Sequence, residues 1–145
     1  MNKNNGTPSA VPIIDHVGIA VNSLETALPK WAAMLGCPAA GEEEVPSERV
    51  RVAFFGGGPG RVELLEPTDP GSAIHRFLRS RGEGIHHVCM RVPDLEASLR
   101  DAAAAGVEAV PPAIRVGAGG SRVSFLHPGT TGGVLLELRE AREAG

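Results

Sequence analysis

Two histidines and two glutamates interrupt stretches of the sequence that are otherwise apolar. The histidines, His16 and His87, stand in IDHVGIAV and IHHVCMRV, and the glutamates, Glu63 and Glu137, stand in RVELLEP and VLLELRE. A carboxylate buried in such surroundings is costly to ionise unless a cation or hydrogen-bond donors accompany it. Imidazole nitrogens and carboxylate oxygens together suit a divalent ion and leave coordination positions for water or substrate. The four residues therefore predict a metal site.

Taken one at a time, these residues have a simpler structural explanation. A strand histidine with apolar neighbours is more often a hydrogen-bonded core residue than a metal ligand. All four, however, occupy matching places in two similar halves of the sequence. That repetition favours a shared site over four unrelated core residues.

Other histidines and a group of arginines are better explained by structural roles. His86 has the opposite strand parity to His87, so we expect it to face the other layer of the fold. His127 precedes a proline at the end of a predicted strand, a position typical of local structure, although it could also line a pocket. The cluster of Arg76, Arg79 and Arg81 is typical of a solvated helix face, with contact to substrate phosphates as the alternative.

The chain contains two copies of one module. The stretches at 14–21 and 85–92 share Ile, His and two Val residues at an offset of 71 positions, and the same offset aligns RVAFF at 51–55 with RVSFL at 122–126. Leu24 and Leu28 likewise align with Leu95 and Leu99. Self-similarity over so much of a short chain indicates an internal duplication.

Each module reads as strand, helix and three further strands. The first strand alternates, with Val17, Ile19 and Val21 on one face and His16 on the other, and a helix follows that Asn22 is expected to cap and Pro29 to kink. The predicted fold class is α+β, with two tandem βαβββ modules that form an incomplete, barrel-like mixed sheet around a central site. The predicted boundaries are a flexible N-terminal tail at 1–12, one domain at 13–140 and a tail at 141–145. Within the domain, module one is expected at about 13–67, a connecting helix at about 71–82, and module two at about 84–140. The later strands are expected near 40–45, 50–55 and 61–66, and near 109–116, 122–127 and 133–139.

Composition excludes several classes of protein. A net charge of -3, an aromatic share of 3% and the absence of Tyr provide neither a basic patch nor stacking platforms, so we expect no nucleic-acid partner. No apolar run approaches the roughly 20 residues of a membrane helix, so we expect no membrane partner. The two cysteines, Cys37 and Cys89, are far apart and fit small buried thiols in a reducing compartment, which predicts a cytoplasmic protein. The glycine-rich GGGPG and GAGGS lack the GK[ST] of a phosphate-binding loop.

The motifs IDHVGIAV, VELLEP, GEGIHHVCMRV, GAGGSRVSFLHP and GGVLLEL, spread from Ile14 to Glu140, resemble the vicinal oxygen chelate superfamily. The last two motifs are similar to the methylmalonyl-CoA epimerase family within it. The resemblance implies one divalent metal ion per chain, first Co²⁺ and alternatively Mn²⁺, Ni²⁺ or Zn²⁺, held by His16, Glu63, His87 and Glu137. It also implies an acyl-CoA substrate and a homodimer.

The implied reaction interconverts (R)- and (S)-methylmalonyl-CoA by removal and return of an α-proton. Glu137 is the expected acid/base on one face of the substrate, and Glu63 or a nearby group is expected to serve the other. One branch of the family carries a glutamate at the position of Val52, and this chain has no acid there; Glu48 is the nearest candidate along the strand. The alternatives are a glyoxalase I-like lactoylglutathione lyase or another metal-dependent member of the superfamily, or a non-catalytic protein of the same fold that binds a small molecule.

Overall fold

The structure is a computed structural model that describes residues 12–141. The two predicted tails, 1–12 and 141–145, lie almost entirely outside the described residues. Within residues 12–141 there are eight strands and four helices, and two short 3-10 turns occupy Pro46–Glu48 and Ala118–Gly120. The elements in chain order are β1 (Ile13–Ala20), α1 (Leu24–Leu35), β2 (Gly41–Val45), β3 (Val50–Phe55), β4 (Arg61–Pro67), α2 (Ala73–Arg81), β5 (Gly84–Val92), α3 (Leu95–Ala104), β6 (Arg115–Val116), β7 (Arg122–Leu126), α4 (Pro128–Thr131) and β8 (Leu136–Glu140).

All eight strands form one mixed sheet in the order β2-β3-β4-β1-β5-β8-β7-β6. The first strands of the two modules, β1 and β5, pair antiparallel at its centre, with Gly18 opposite His87. The last strand of each module, β4 or β8, lies parallel to its own first strand. From the β1–β5 pair outward, each half of the sheet therefore contains the first, fourth, third and second strand of its module, in that order. This confirms the predicted α+β architecture of two βαβββ modules that share a curled sheet.

The alternating sequence of β1 separates a core face from a site face. Ile19 and Val21 pack with α1 residues and with Leu64, whereas Ala20 belongs to a second cluster that includes Ile74 of α2. Helix α3 covers the matching core of module two through Leu95. The helices α1 and α3 therefore lie on one side of the sheet, and the opposite face carries the predicted site together with α2.

In each module an equivalent hydrogen bond connects the helix to the last strand. The backbone N–H of Leu24 donates to the carboxylate of Glu66 at 2.6 Å, and that of Leu95 donates to Glu140 at 2.9 Å. A carboxylate at the first turn satisfies backbone N–H groups that have no partner within the helix and interacts favourably with the helix dipole. The two modules are therefore equivalent in their packing as well as in sequence.

Several local predictions differ from the structure. The side chain that caps α1 is Ser23 and not Asn22, since the Ser23 hydroxyl accepts from the N–H of Thr26. The predicted strand at 109–116 is reduced to β6 and an isolated bridge at Ala109, because Pro111 and Pro112 have no N–H to donate to a neighbouring strand. The strand expected from residue 133 begins at Leu136, after a glycine-rich turn.

Two further observations bear on the composition. Cys89 is buried as expected, but Cys37 is exposed. Among the residues that the structure describes, no helix has both the length and the apolar character needed to span a membrane.

Candidate metal centre

The four candidate ligands come from the four central strands of the sheet. His16 lies on β1 and His87 on β5, while Glu63 on β4 and Glu137 on β8 flank this pair. Their exposed fractions are only 3–6%. The duplication thus brings residues that are far apart in the sequence to one face of the sheet.

Three of the four side chains converge on one point. Nε2 of His16 lies 3.0 Å from Nε2 of His87, and Oε1 of Glu137 lies 3.2 Å and 3.1 Å from these two nitrogens. Two imidazole nitrogens and a carboxylate oxygen within ligand distance of one another are a donor set that suits a borderline divalent ion. His16, His87 and Glu137 therefore fit the predicted metal, and no part of this geometry selects one particular ion.

The fourth predicted ligand, Glu63, lies beside this group and faces the other ring nitrogen of His16. Its Oε2 atom is 3.3 Å from Nδ1 of His16. The same oxygen accepts hydrogen bonds from Nε and Nη2 of Arg61 at 2.9 Å and 2.8 Å. The arginine thus holds this carboxylate away from the point where the Nε2 atoms meet.

The two glutamates consequently have different protonation behaviour. Burial raises the pKa of Glu63 above its ordinary value, against the opposing effect of the nearby His16 and Arg61 charges. Burial acts in the same direction on Glu137, but hydrogen bonds from both histidines outweigh it and lower the pKa to about 2. Burial would lower the pKa of His16, but its contacts with Asp15, Glu137 and Glu63 raise it to about 9.

Behind His16 lies a buried ion network that the sequence analysis missed. Asp15 has no exposed surface, and its carboxylate accepts from Nδ1 of His16 at 2.7 Å. Three arginines surround the same carboxylate: Arg91 at 2.6 Å, Arg61 at 3.0 Å and Arg139 at 3.1 Å. Against the opposing effect of burial, the hydrogen bond from His16 and the three arginines hold the pKa of Asp15 well below its usual range. A second carboxylate behind a ligand histidine fixes its tautomer and directs the other nitrogen toward a metal.

A signal for this network is present in the sequence. Arg61 precedes Glu63 by two residues, Arg139 follows Glu137 by two, and Arg91 follows His87 by four. Residues at even spacing on a strand share a face, so each arginine lies on the same side of the sheet as a ligand. What the spacing does not reveal is that all three arginines meet at Asp15.

Above the ligand group is a small cavity of about 80 Å³. Its walls are largely apolar and include Val45, Val50, Val52 and Leu65, and its polar lining includes the four candidate ligands and Glu48. The Glu48 carboxylate is paired with Arg115 at 3.3 Å. Gly18 makes the room for His87, because a Cβ atom at this position would lie 2.6 Å from both ring nitrogens. The cavity suits a small acyl group with polar ends that face the histidines.

His86 differs from its sequence prediction because it lines this same cavity. The pairing of β1 with β5 shifts register between Gly18 and Ile19, so that Ile19 pairs with Ile85 and His86 becomes an extra residue. Such a bulge redirects a side chain that strict alternation would place on the opposite face. Nδ1 of His86 lies 3.0 Å from Nδ1 of His87, and burial, followed by the charge of His87, lowers the pKa of His86 to about 4. His127, in contrast, has a local role, since its Nδ1 atom accepts from the N–H of Gly129.

Comparison with known proteins places this arrangement in a family. Residues 15–125 match the model of the Glyoxalase/Bleomycin resistance protein/Dioxygenase superfamily. The mitochondrial methylmalonyl-CoA epimerase of Homo sapiens is 35% identical over 129 residues, which are 88% of this chain and 73% of the human one. The crystal structure of methylmalonyl-CoA epimerase from Mycobacterium tuberculosis is 38% identical with a TM-score of 0.84, and the alignment covers 90% of this chain and 89% of that one.

A third similar protein has been solved with a ligand. It is a variant of methylmalonyl-CoA epimerase from Streptomyces coelicolor in complex with 2-nitronate-propionyl-CoA. The two chains are 34% identical with a TM-score of 0.84, over 92% of this chain and 100% of the other. Fold and sequence therefore agree on the same set of relatives.

Proposed function

The chain belongs to the Glyoxalase/Bleomycin resistance protein/Dioxygenase superfamily, and on this basis we propose that it is a metal-dependent epimerase that interconverts (R)- and (S)-methylmalonyl-CoA. The observation that carries the proposal is the meeting of the His16, His87 and Glu137 ligand atoms beneath a small apolar cavity. Relatives named as epimerases for this substrate match nearly the whole chain, so a glyoxalase I-like activity is not favoured.

We propose His16, His87, Glu137 and, after a side-chain movement, Glu63 as the metal ligands. A divalent ion in this place supplies a Lewis acid for the carboxylate and thioester oxygens of the substrate. Asp15 keeps a proton on Nδ1 of His16, so that Nε2 remains free to bind the ion. The apolar walls around Val50 and Val52 exclude water and thereby strengthen electrostatic interactions within the site.

We propose Glu137 and Glu63 as the two groups that move the proton. Inversion of a carbon needs one group on each side of it. Strands β8 and β4 lie on opposite sides of the β1–β5 pair, so these carboxylates approach the cavity from opposite directions. Their environments separate their pKa values, with Glu137 lowered and Glu63 raised. Such a difference suits one group to accept a proton while the other donates one.

The proposal includes four further features of the protein. The metal is Co²⁺, the assembly is a homodimer, residues 13–140 act as a single domain, and the compartment is the cytoplasm. Metal analysis of protein purified without added metal tests the first feature, and light scattering coupled to size exclusion tests the second. A nickel, manganese or zinc stoichiometry near one per chain replaces Co²⁺ without changing the proposed ligands.

The experiment that tests the function is deuterium exchange. The protein is incubated with (R)-methylmalonyl-CoA in heavy water, with and without prior treatment with a chelator. We expect deuterium at the α-carbon and formation of the S epimer, loss of both after chelation, and recovery when Co²⁺ is added back. Full turnover after exhaustive demetallation would refute the metal-dependent mechanism.

Variants of the two carboxylates separate their roles. Glu137→Gln and Glu63→Gln are each expected to slow α-proton exchange by at least about a hundredfold, the usual contribution of a positioned acid or base. The matched control is Glu44→Gln, which removes a half-exposed carboxylate on β2 that pairs with Arg51. Wild-type exchange rates in both active-site variants would remove Glu137 and Glu63 from the mechanism.

A further inference from the structure

Helix α2 carries a concentrated positive charge that no role described so far uses. Its sequence AIHRFLRSR contains three arginines and no acidic residue, in a chain whose net charge is -3. Arg76, Arg79 and Arg81 are all exposed, and none of them forms an ion pair with a carboxylate of the described residues. Guanidinium groups without a carboxylate partner are suited to bind phosphate groups.

Two of these arginines border a cavity that adjoins the metal centre. Arg76 and Arg81 line a space of about 460 Å³ between α2, the start of β5 and the turn before β8, whereas Arg79 does not. His86 and His87 line both this cavity and the smaller one above the ligands. Its opposite wall is apolar and includes the exposed side chains of Ile85 and Val134.

A continuous series of side chains connects the arginine end of this cavity with the candidate ligands. The Arg81 guanidinium lies 5.7 Å from the ring of Phe77, this ring lies 5.1 Å from that of His86, and His86 lies 5.3 Å from His87. Three such steps are a length that an extended pantetheine arm can cover. A ligand whose reactive end meets His87 can therefore place a charged end beside Arg81.

We infer that this cavity binds the 3′-phosphoadenosine diphosphate end of the acyl-CoA substrate. This assignment rests on the proposed function. Arg76 and Arg81 contact the phosphates, and Ile85 and Val134 pack against the adenine ring. The pantetheine arm then passes His86 on its way to the metal centre, so that this histidine lies at the junction of the two cavities.

The test compares three arginine variants with two substrates. Arg76→Ala and Arg81→Ala each remove one guanidinium from the cavity, and Arg79→Ala is the matched control because it removes the same charge from the same helix outside the cavity. We expect Arg76→Ala and Arg81→Ala to raise KM for methylmalonyl-CoA about fivefold, as for the loss of one exposed ion pair. With methylmalonyl-pantetheine, which lacks the phosphates, KM is expected to remain unchanged in all three variants.

Binding of the nucleotide alone makes the inference independent of turnover. Calorimetric titration of the metal-loaded protein with 3′-phosphoadenosine 5′-diphosphate is expected to show weaker binding for Arg76→Ala and Arg81→Ala than for wild type, and unchanged binding for Arg79→Ala. An equal effect of all three variants, an effect of none, or no binding to the wild type would overturn the assignment. Absence of epimerase activity together with cavity-specific nucleotide binding would refute the proposed function and leave the nucleotide site in place.

Discussion

Replacement of Asp15 by Asn tests whether the buried carboxylate that joins three arginines also orients His16. The two Asp15 oxygens have separate partners: Oδ2 accepts from His16 and Arg61, and Oδ1 accepts from Arg91 at 2.6 Å. Arg139 lies 3.1–3.3 Å from both. An asparagine side chain can place its single oxygen at only one of these positions, and its amide NH₂ must face donors at the other.

Both orientations of the new amide are unfavourable. With its oxygen toward His16, the NH₂ group opposes Arg91 and leaves this partly buried guanidinium without its carboxylate acceptor. With its oxygen toward Arg91, the NH₂ group donates to Nδ1 of His16, which moves the histidine proton to Nε2 and blocks the metal. Loss of one partner of a buried ion pair costs about 3–5 kcal/mol of the free energy of unfolding. Loss of the orienting carboxylate weakens metal binding by about 10–100-fold.

Urea unfolding of the chelator-treated protein and calorimetric titration with Co²⁺ measure these two effects. Asp69→Asn is the matched control, since Asp69 is exposed, lies 3.6 Å from Arg49 and carries the same formal charge. The free energy of unfolding of the control is expected to fall by less than about 1 kcal/mol. If Asp15→Asn unfolds like the control and binds Co²⁺ with wild-type affinity, the role assigned to Asp15 is wrong.

Three further outcomes follow from the structure. Gly18→Ala should displace the His87 ring and weaken metal binding, whereas Gly41→Ala, which meets no atom within 4 Å, should leave it unchanged in the same titration. In the metal-free protein the raised pKa of His16 stabilises the fold, and this contribution of at most about 3 kcal/mol is fully present below pH 6.5 and is lost as the pH rises through 9. An equal free energy of unfolding in urea at pH 6.5 and pH 9.5 would contradict this expectation. Pro29→Ala should raise the free energy of unfolding by about 1–3 kcal/mol, because it restores a backbone N–H donor inside α1 at an exposed position. A lowered melting temperature of this variant would show that Pro29 does not destabilise the helix.

The sequence predicts most of this fold because the same pattern of strands and helix occurs twice, so each copy supports the interpretation of the other. The His16 and His87 strands were recognisable from alternation, and the offset of 71 residues that links them also predicts that they share a sheet. Predictions failed where a single local feature overrides the pattern. The paired prolines at 111 and 112 remove two backbone donors from a predicted strand, and one extra residue in β5 turns His86 toward the site.

The sequence predicted that His16, His87 and Glu137 lie together, but it did not predict the network of charges behind them. Arg61, Arg91 and Arg139 are identifiable from their even spacing to the ligands, yet their common partner depends on how the strands pair. Asp15 lies at the first irregularity in the pairing of β1 with β5, between Ile14 and His16. Strict alternation would place adjacent residues on opposite faces, so the contact between Asp15 and Nδ1 of His16 is a property of the folded sheet.

The two modules have equivalent strand arrangements, but the side chains at the site have different partners in each module. Glu63 and Glu137 occupy corresponding strands, but only Glu137 accepts from both histidines, and only Glu63 accepts from Arg61. A perfectly symmetric pair would give two carboxylates of equal basicity, neither suited to donate while the other accepts. The lowered pKa of Glu137 and the raised pKa of Glu63 make the two carboxylates chemically different, as the proposed acid/base pair requires. Burial raises the pKa of Glu63, and the neighbouring charges of His16 and Arg61 oppose that shift, so both neighbours help to set how this carboxylate behaves.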